Sequence, residues 1–90
     1  MKSWNTWREA NPDVRPDLTE ADLKDSNLQG VKLREADLQG AILSETNLQG
    51  AELAHCNLRG AILQNANLSD VKGLLGGDLG VLSKAQIRPY

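Results

Sequence analysis

The chain has 90 residues, enough for one small domain; 40% of them are apolar, only 3% are aromatic and none is Phe, so a core must be assembled from Leu, Ala, Val and Ile. Ten basic against 12 acidic residues give a net charge of -2, which excludes a broad basic surface for nucleic acid. The single Cys excludes an intramolecular disulfide framework and fits a reducing compartment.

The opening stretch, "MKSWNTWREANPD", lacks the apolar core of a secretory signal. No later run approaches the length of a membrane span. The expectation is a soluble cytoplasmic protein with no membrane partner. Within residues 1–15, Ser3 is placed to N-cap a short helix, and Asn11 before Pro12 is placed to end it. Trp4 and Trp7 share one helical face. They read as a lid over the apolar end of the segment that follows; the alternative is an exposed aromatic binding patch.

From residue 16 to residue 70 the chain repeats every five residues. Leu18, Leu23, Leu28, Leu33, Leu38, Leu43, Leu48, Leu53, Leu58, Leu63 and Leu68 form an unbroken series. Five matches neither the 3.6-residue period of a helix nor the two-residue period of a strand. The residue two before each leucine is nearly always small, as at Ala36, Ala41, Ala51, Cys56, Ala61 and Ala66. The residue just before it is mostly Asp or Asn, as at Asp17, Asp22, Asn27, Asp37, Asn47, Asn57 and Asn67. Leucine and the small residue point to the same side of an extended segment. A bend in the remaining residues returns the next pair to a common axis, and Gly30, Gly40, Gly50 and Gly60 fall where that bend belongs. The geometry this demands is a solenoid with all eleven leucines and Cys56 in its core.

The units "EADLQG", "ETNLQG", "HCNLRG" and "NANLSD" closely resemble the A(D/N)Lxx pattern of the pentapeptide-repeat family. The resemblance implies an all-β fold, a right-handed quadrilateral β-helix with four units per coil. Residues 20 apart should then stack, and eleven units give between two and three coils with short terminal caps. On that reading Asn27, Asn47 and Asn67 stack as an amide ladder, and Lys32 sits over Glu52 as an exposed ion pair. The entry "WREANPDVRPDLTEADL" is similar to the openings of cyanobacterial members, which implies a cyanobacterial origin.

Residues 71–90 leave the register, as a C-terminal cap or an interrupted coil. Gly73 stands where the next leucine belongs; Asp78 is placed to start a short helix carrying Leu79 and Leu82; and Ala85-Gln86-Ile87 resembles a further unit one residue out of phase.

Chemistry-bearing patterns are sparse. His55 lies beside Cys56, but an outward corner and an inward slot diverge, and no second Cys or His completes a zinc site. "GLLGGDLG" lacks the Lys-Ser/Thr ending of a phosphate loop. No catalytic residue, cofactor or metal is expected, and the chain reads as a non-enzyme. Ile42 and Ile62 break the Asp/Asn pattern 20 residues apart. Either an end of the chain folds over them, or they meet a partner or a second copy, or their exposure is tolerated. The function expected is a protein-interaction or structural scaffold with an unknown protein partner, homo-oligomerisation included. Two alternatives stand beside it. One is a domain of a larger multi-domain protein. The other is the DNA mimicry by which one branch of the family inhibits topoisomerase. Residues 16–70 carry nine acidic and four basic side chains, but Lys24, Lys32, Arg34 and Arg59 interrupt the acidic surface.

Overall fold

The computed structural model of the chain describes residues 2–73. Helix α1, Lys2–Ala10, comes first. It begins before Ser3, so Ser3 lies in its first turn and is not the N-cap expected from the sequence. Its end follows from the sequence as read. A residue before proline is disfavoured in the helical region, and Asn11 closes the helix. The Asn11 amide donates to the Arg8 carbonyl at 3.1 Å and the Asn11 side-chain amide donates to the Trp7 carbonyl at 2.9 Å.

After α1 the five-residue unit becomes a turn. In every unit the amide three residues after the leucine donates back to the leucine carbonyl, from Ala21 to Leu18 at 3.0 Å through to Val71 to Leu68 at 3.3 Å. The residue two after the leucine takes a positive φ, as the third position of a type II turn requires. Glycine fills that corner at Gly30, Gly40, Gly50 and Gly60, but Glu20, Asp25, Glu35, Glu45, His55, Asn65 and Asp70 hold it too, with φ between 57° and 62°. A non-glycine residue there costs roughly 1–2 kcal/mol. The corners therefore persist because the packed core and the bonds between coils fix the chain on either side.

Successive coils pair in parallel at an interval of 20 residues, on four faces. The first face carries Asp17, Asp37 and Asn57, and the second Asp22, Ile42 and Ile62. The third carries Asn27, Asn47 and Asn67, and the fourth Lys32, Glu52 and Lys72. Pairing thus runs to Lys72, past the boundary at residue 70 that the leucine series suggests. A valine, Val71, replaces the usual small inward residue of that unit. At Gly73 a Cβ would lie 2.6 Å from Cα of Ala54, so the register breaks where a side chain has no room. The expectations on Asp78, Leu79, Leu82 and Ala85–Ile87 lie outside the described residues.

The core is a column of leucines and small residues. Leu28, Leu33, Leu38, Leu43, Leu48, Leu53, Leu58 and Leu63 are buried, with Val31, Ala36, Ala41, Thr46, Ala51, Cys56, Ala61 and Ala66 beside them. Leu18, Leu23 and Leu68 are partly buried against the same cluster, as are Trp4 and Val71. Thr46 fits a slot otherwise held by alanine because its hydroxyl donates to the Leu23 carbonyl at 2.7 Å, leaving no buried polar atom unpaired.

Candidate functional site

Local chemistry explains the Asp/Asn position. The side-chain oxygen of each such residue accepts the backbone N–H two residues on: Lys24 to Asp22 at 3.2 Å, Gln29 to Asn27 at 3.2 Å, Gln39 to Asp37 at 3.1 Å, Gln49 to Asn47 at 3.0 Å, Arg59 to Asn57 at 3.1 Å and Ser69 to Asn67 at 3.0 Å. This is the Asx turn, in which a short side chain replaces water on a turn amide. It also corrects the expected amide ladder. Asn27, Asn47 and Asn67 stack by their backbones, but their side-chain oxygens serve their own turns. At Asp17 the same carboxylate also accepts the Thr19 hydroxyl, and these two bonds hold its pKa below the usual carboxylate value of 3.8.

Two faces depart from this pattern. On the second, Ile42 and Ile62 replace it; on the fourth, Lys32, Glu52 and Lys72 do. Residues that forgo a local stabilising bond are candidates for another role.

On the fourth face that role is filled by α1. Between coils, each face makes three bonds. On the second face the Ile42 amide donates to the Ala21 carbonyl at 2.9 Å, the Leu23 amide to Ile42 at 2.8 Å, and the Asp25 amide to Ser44 at 3.0 Å. Below the first coil no further coil exists among the described residues, and on the fourth face three side chains take its place. The Lys32 amide donates to Asn5 Oδ1 at 3.0 Å, Trp4 Nε1 donates to the Lys32 carbonyl at 2.8 Å, and Arg8 donates to the Arg34 carbonyl at 2.6 Å. Trp4, Asn5 and Arg8 lie one helical turn or less apart, so one face of α1 carries all three. Asn5 also donates to the Gly30 carbonyl at 3.1 Å, and Arg8, only 6% exposed, donates to the carbonyls of Asn11 at 2.9 Å and Val14 at 2.5 Å. Arg8 thereby joins the helix end, the returning loop and the first coil.

The Lys32 ammonium pairs with Glu9 of α1, not with Glu52 as expected, because α1 brings a carboxylate closer to it. The hydrogen bond that Lys32 donates to Glu9 is the main cause that raises the Lys32 pKa above 10.5; desolvation opposes it, and the Glu9 and Glu52 charges add smaller upward contributions. A polar groove of about 410 Å³ runs between α1 and this face, lined by Arg8, Glu9, Lys32, Arg34, Glu35 and Glu52 among others.

Trp4 and Trp7 separate in role. Trp4 is half-buried against the core cluster, whereas Trp7 is 42% exposed with its ring centroid 5.3 Å from that of Trp4. Ile42 is half-buried and Ile62 is 39% exposed, on the face opposite α1. Cys56 is buried and its thiol donates to the Leu33 carbonyl at 2.7 Å, while His55 is exposed at a corner. Among the described residues no group of three or more His, Cys, Asp or Glu gathers where a metal ion could be held.

The family model for pentapeptide repeats matches in eight copies, over residues 17–51 and 41–72. The chain belongs to the pentapeptide-repeat family. That membership makes it a repeat protein and carries the right-handed β-helix with it. Two solved pentapeptide-repeat proteins, both cyanobacterial, are similar to it. Rfr23 from Cyanothece 51142 is 40% identical over 67% of this chain and 47% of its own, with a TM-score of 0.38. The protein alr5209 from Nostoc Pcc 7120 is 25% identical over 100% of this chain and 85% of its own, with a TM-score of 0.38. The chain thus spans about half the length of Rfr23 (47%). No curated protein matches it. Among the described residues no helix is long and apolar enough to cross a membrane.

Proposed function

We propose that the chain is a non-enzymatic protein-interaction module. In this reading a quadrilateral β-helix of between two and three coils is capped by α1 through Trp4, and presents the Ile42–Ile62 strip to a protein partner. One observation supports it above the others. Of the two departures from the Asx turn, that at Lys32 on the fourth face serves α1, and that at Ile42 and Ile62 on the second face leaves an isoleucine 39% exposed with no described segment over it. Both isoleucines are already more than half covered, so burying the rest of the strip contributes about 1–2 kcal/mol before association costs.

The test is the double variant Ile42→Asp with Ile62→Asp. Circular dichroism should match the parent, and co-purification of a partner from a lysate, or self-association in sedimentation, should disappear. Unchanged association would remove this face from consideration. Unfolding would show that the chain itself covers the strip. DNA mimicry has less support, because Arg59 and Lys72 place cations on the third coil; inhibition of gyrase supercoiling by the purified chain would favour it.

A further inference from the structure

The first coil has a second feature that α1 leaves unused. Its lower edge on the second face offers the same three groups that Lys32 and Arg34 offer on the fourth, namely the amide and carbonyl of Asp22 and the carbonyl of Lys24. Between coils these positions bond at 2.8–3.0 Å, as Ile42 and Ser44 do to the coil below them. In the first coil they have no partner among the described residues, and Asp22 and Lys24 are exposed. Directly inside this edge lies an apolar cavity of about 150 Å³ lined by Trp4, Leu18, Leu23, Leu28, Val31 and Leu33. Leu18 and Leu23 are only half-buried there, unlike the fully covered leucines of the second coil.

We propose that this edge is a strand-addition site for an extended basic peptide, which pairs with Asp22 and Lys24 and seats one apolar side chain in the cavity. Strand addition takes its affinity from main-chain bonds and its selectivity from pockets for alternate side chains, and both are present here. The sign of the partner's charge follows from the rim. From Asp17 to Asn27 the exposed side chains include four carboxylates, Asp17, Glu20, Asp22 and Asp25, and one cation, Lys24. Glu20 and Asp25 stand at the two corners that bound the second face. An acidic rim around an apolar mouth favours lysine or arginine beside an aliphatic anchor. The site is distinct from the Ile42–Ile62 strip, which faces outward on the coils above.

The experiment uses the full chain and a fluorescein-labelled peptide of about seven residues that alternates lysine with valine and leucine, followed by anisotropy. The proposal expects saturable binding that weakens with added salt. It also expects at least a tenfold loss when glutamate replaces lysine in the peptide, and when proline replaces its central residue and removes a backbone donor. Asp22→Lys, at an exposed position, should cause a similar loss, and Leu23→Glu a larger one. The double variant Ile42→Asp with Ile62→Asp should bind as the parent does. No binding by the full chain would overturn the proposal. Equal binding of the proline peptide would overturn it too, by reducing the attraction to charge. Loss of binding in the isoleucine double variant would move the peptide to the outward strip and sink the edge site.

Discussion

The lower edges of the first coil on its second and fourth faces have the same backbone pattern and opposite surroundings. On the fourth face, Asn5, Trp4 and Arg8 supply the acceptor and the two donors that a further coil would provide. On the second face, the Asp22 and Lys24 groups have no partner among the described residues. The contrast shows how little is needed to end a solenoid on one side: three side chains of a nine-residue helix replace a strand. It also shows the limit, because a helix crosses the end in one direction, and among the described residues nothing covers the opposite side of the coil.

The largest expected effect sets the enclosed core against this open end. Leu48 is 0% exposed in the middle coil. Leu48→Asn buries an unpaired amide and leaves a void, so a loss of roughly 3–5 kcal/mol or no folded protein is expected. Leu18→Asn, at the half-buried edge, should lose under about half of that. Urea denaturation of both variants measures the gap, and equal losses would erase the distinction between closed coil and open end.

Arg8 comes next. Arg8→Ala strips the Arg34 and Val14 carbonyls of their donor and takes one of two from the Asn11 carbonyl, which keeps the Val14 amide, and a loss of about 2–3 kcal/mol is expected. Lys24→Ala on the open edge should stay within about 0.5 kcal/mol. Denaturation midpoints compare them directly.

Much of this architecture is legible in the sequence, and what is not has a physical reason. The leucine series and the small residues two before it state the core, because volume and periodicity survive in one dimension. Glycine marks only part of the corners. The remainder are enforced from outside the unit, so Glu45 or His55 gives no local sign of a positive φ. The Asp/Asn position looks merely outward and polar until its oxygen is seen on the next turn's amide. Asn5 and Arg8 are ordinary residues of a polar helix; their roles depend on where α1 docks. The one available signal was that they share a helical face with Trp4. Stacking alone pairs Lys32 with Glu52, and the helix supplies a nearer carboxylate in Glu9.

The two tryptophans give a smaller contrast. Trp4→Phe removes the Nε1–H donor to the Lys32 carbonyl and should cost about 1 kcal/mol. Trp7→Phe, at an exposed position, should fall within about 0.5 kcal/mol. A thermal melt that reverses this order would mean that Trp7, not Trp4, holds the helix down.

The smallest effects are those of pH. Lys32 has a raised pKa in the folded chain, so its contribution with Glu9 is fully present below the ordinary lysine value of 10.5 and is lost as pH rises through the higher folded value. Asp17 has a lowered pKa, so its contribution with Thr19 is present above 3.8 and is lost as pH falls through the lower folded value. Glu9→Gln should therefore flatten the alkaline limb of a stability–pH curve, and Thr19→Val the acid limb. An unchanged alkaline limb in Glu9→Gln, or an unchanged acid limb in Thr19→Val, would contradict these pairings.

The central claim is that side chains of α1 stand in for a missing coil on one face only. Backbone amide hydrogen exchange, resolved by residue, tests it most directly. The account predicts slow exchange at the Lys32 amide, fast exchange at the Asp22 and Asn27 amides of the same coil, and selective loss of the Lys32 protection in Asn5→Ala. Equal protection of the three amides, or a Lys32 amide unchanged in Asn5→Ala, would contradict it.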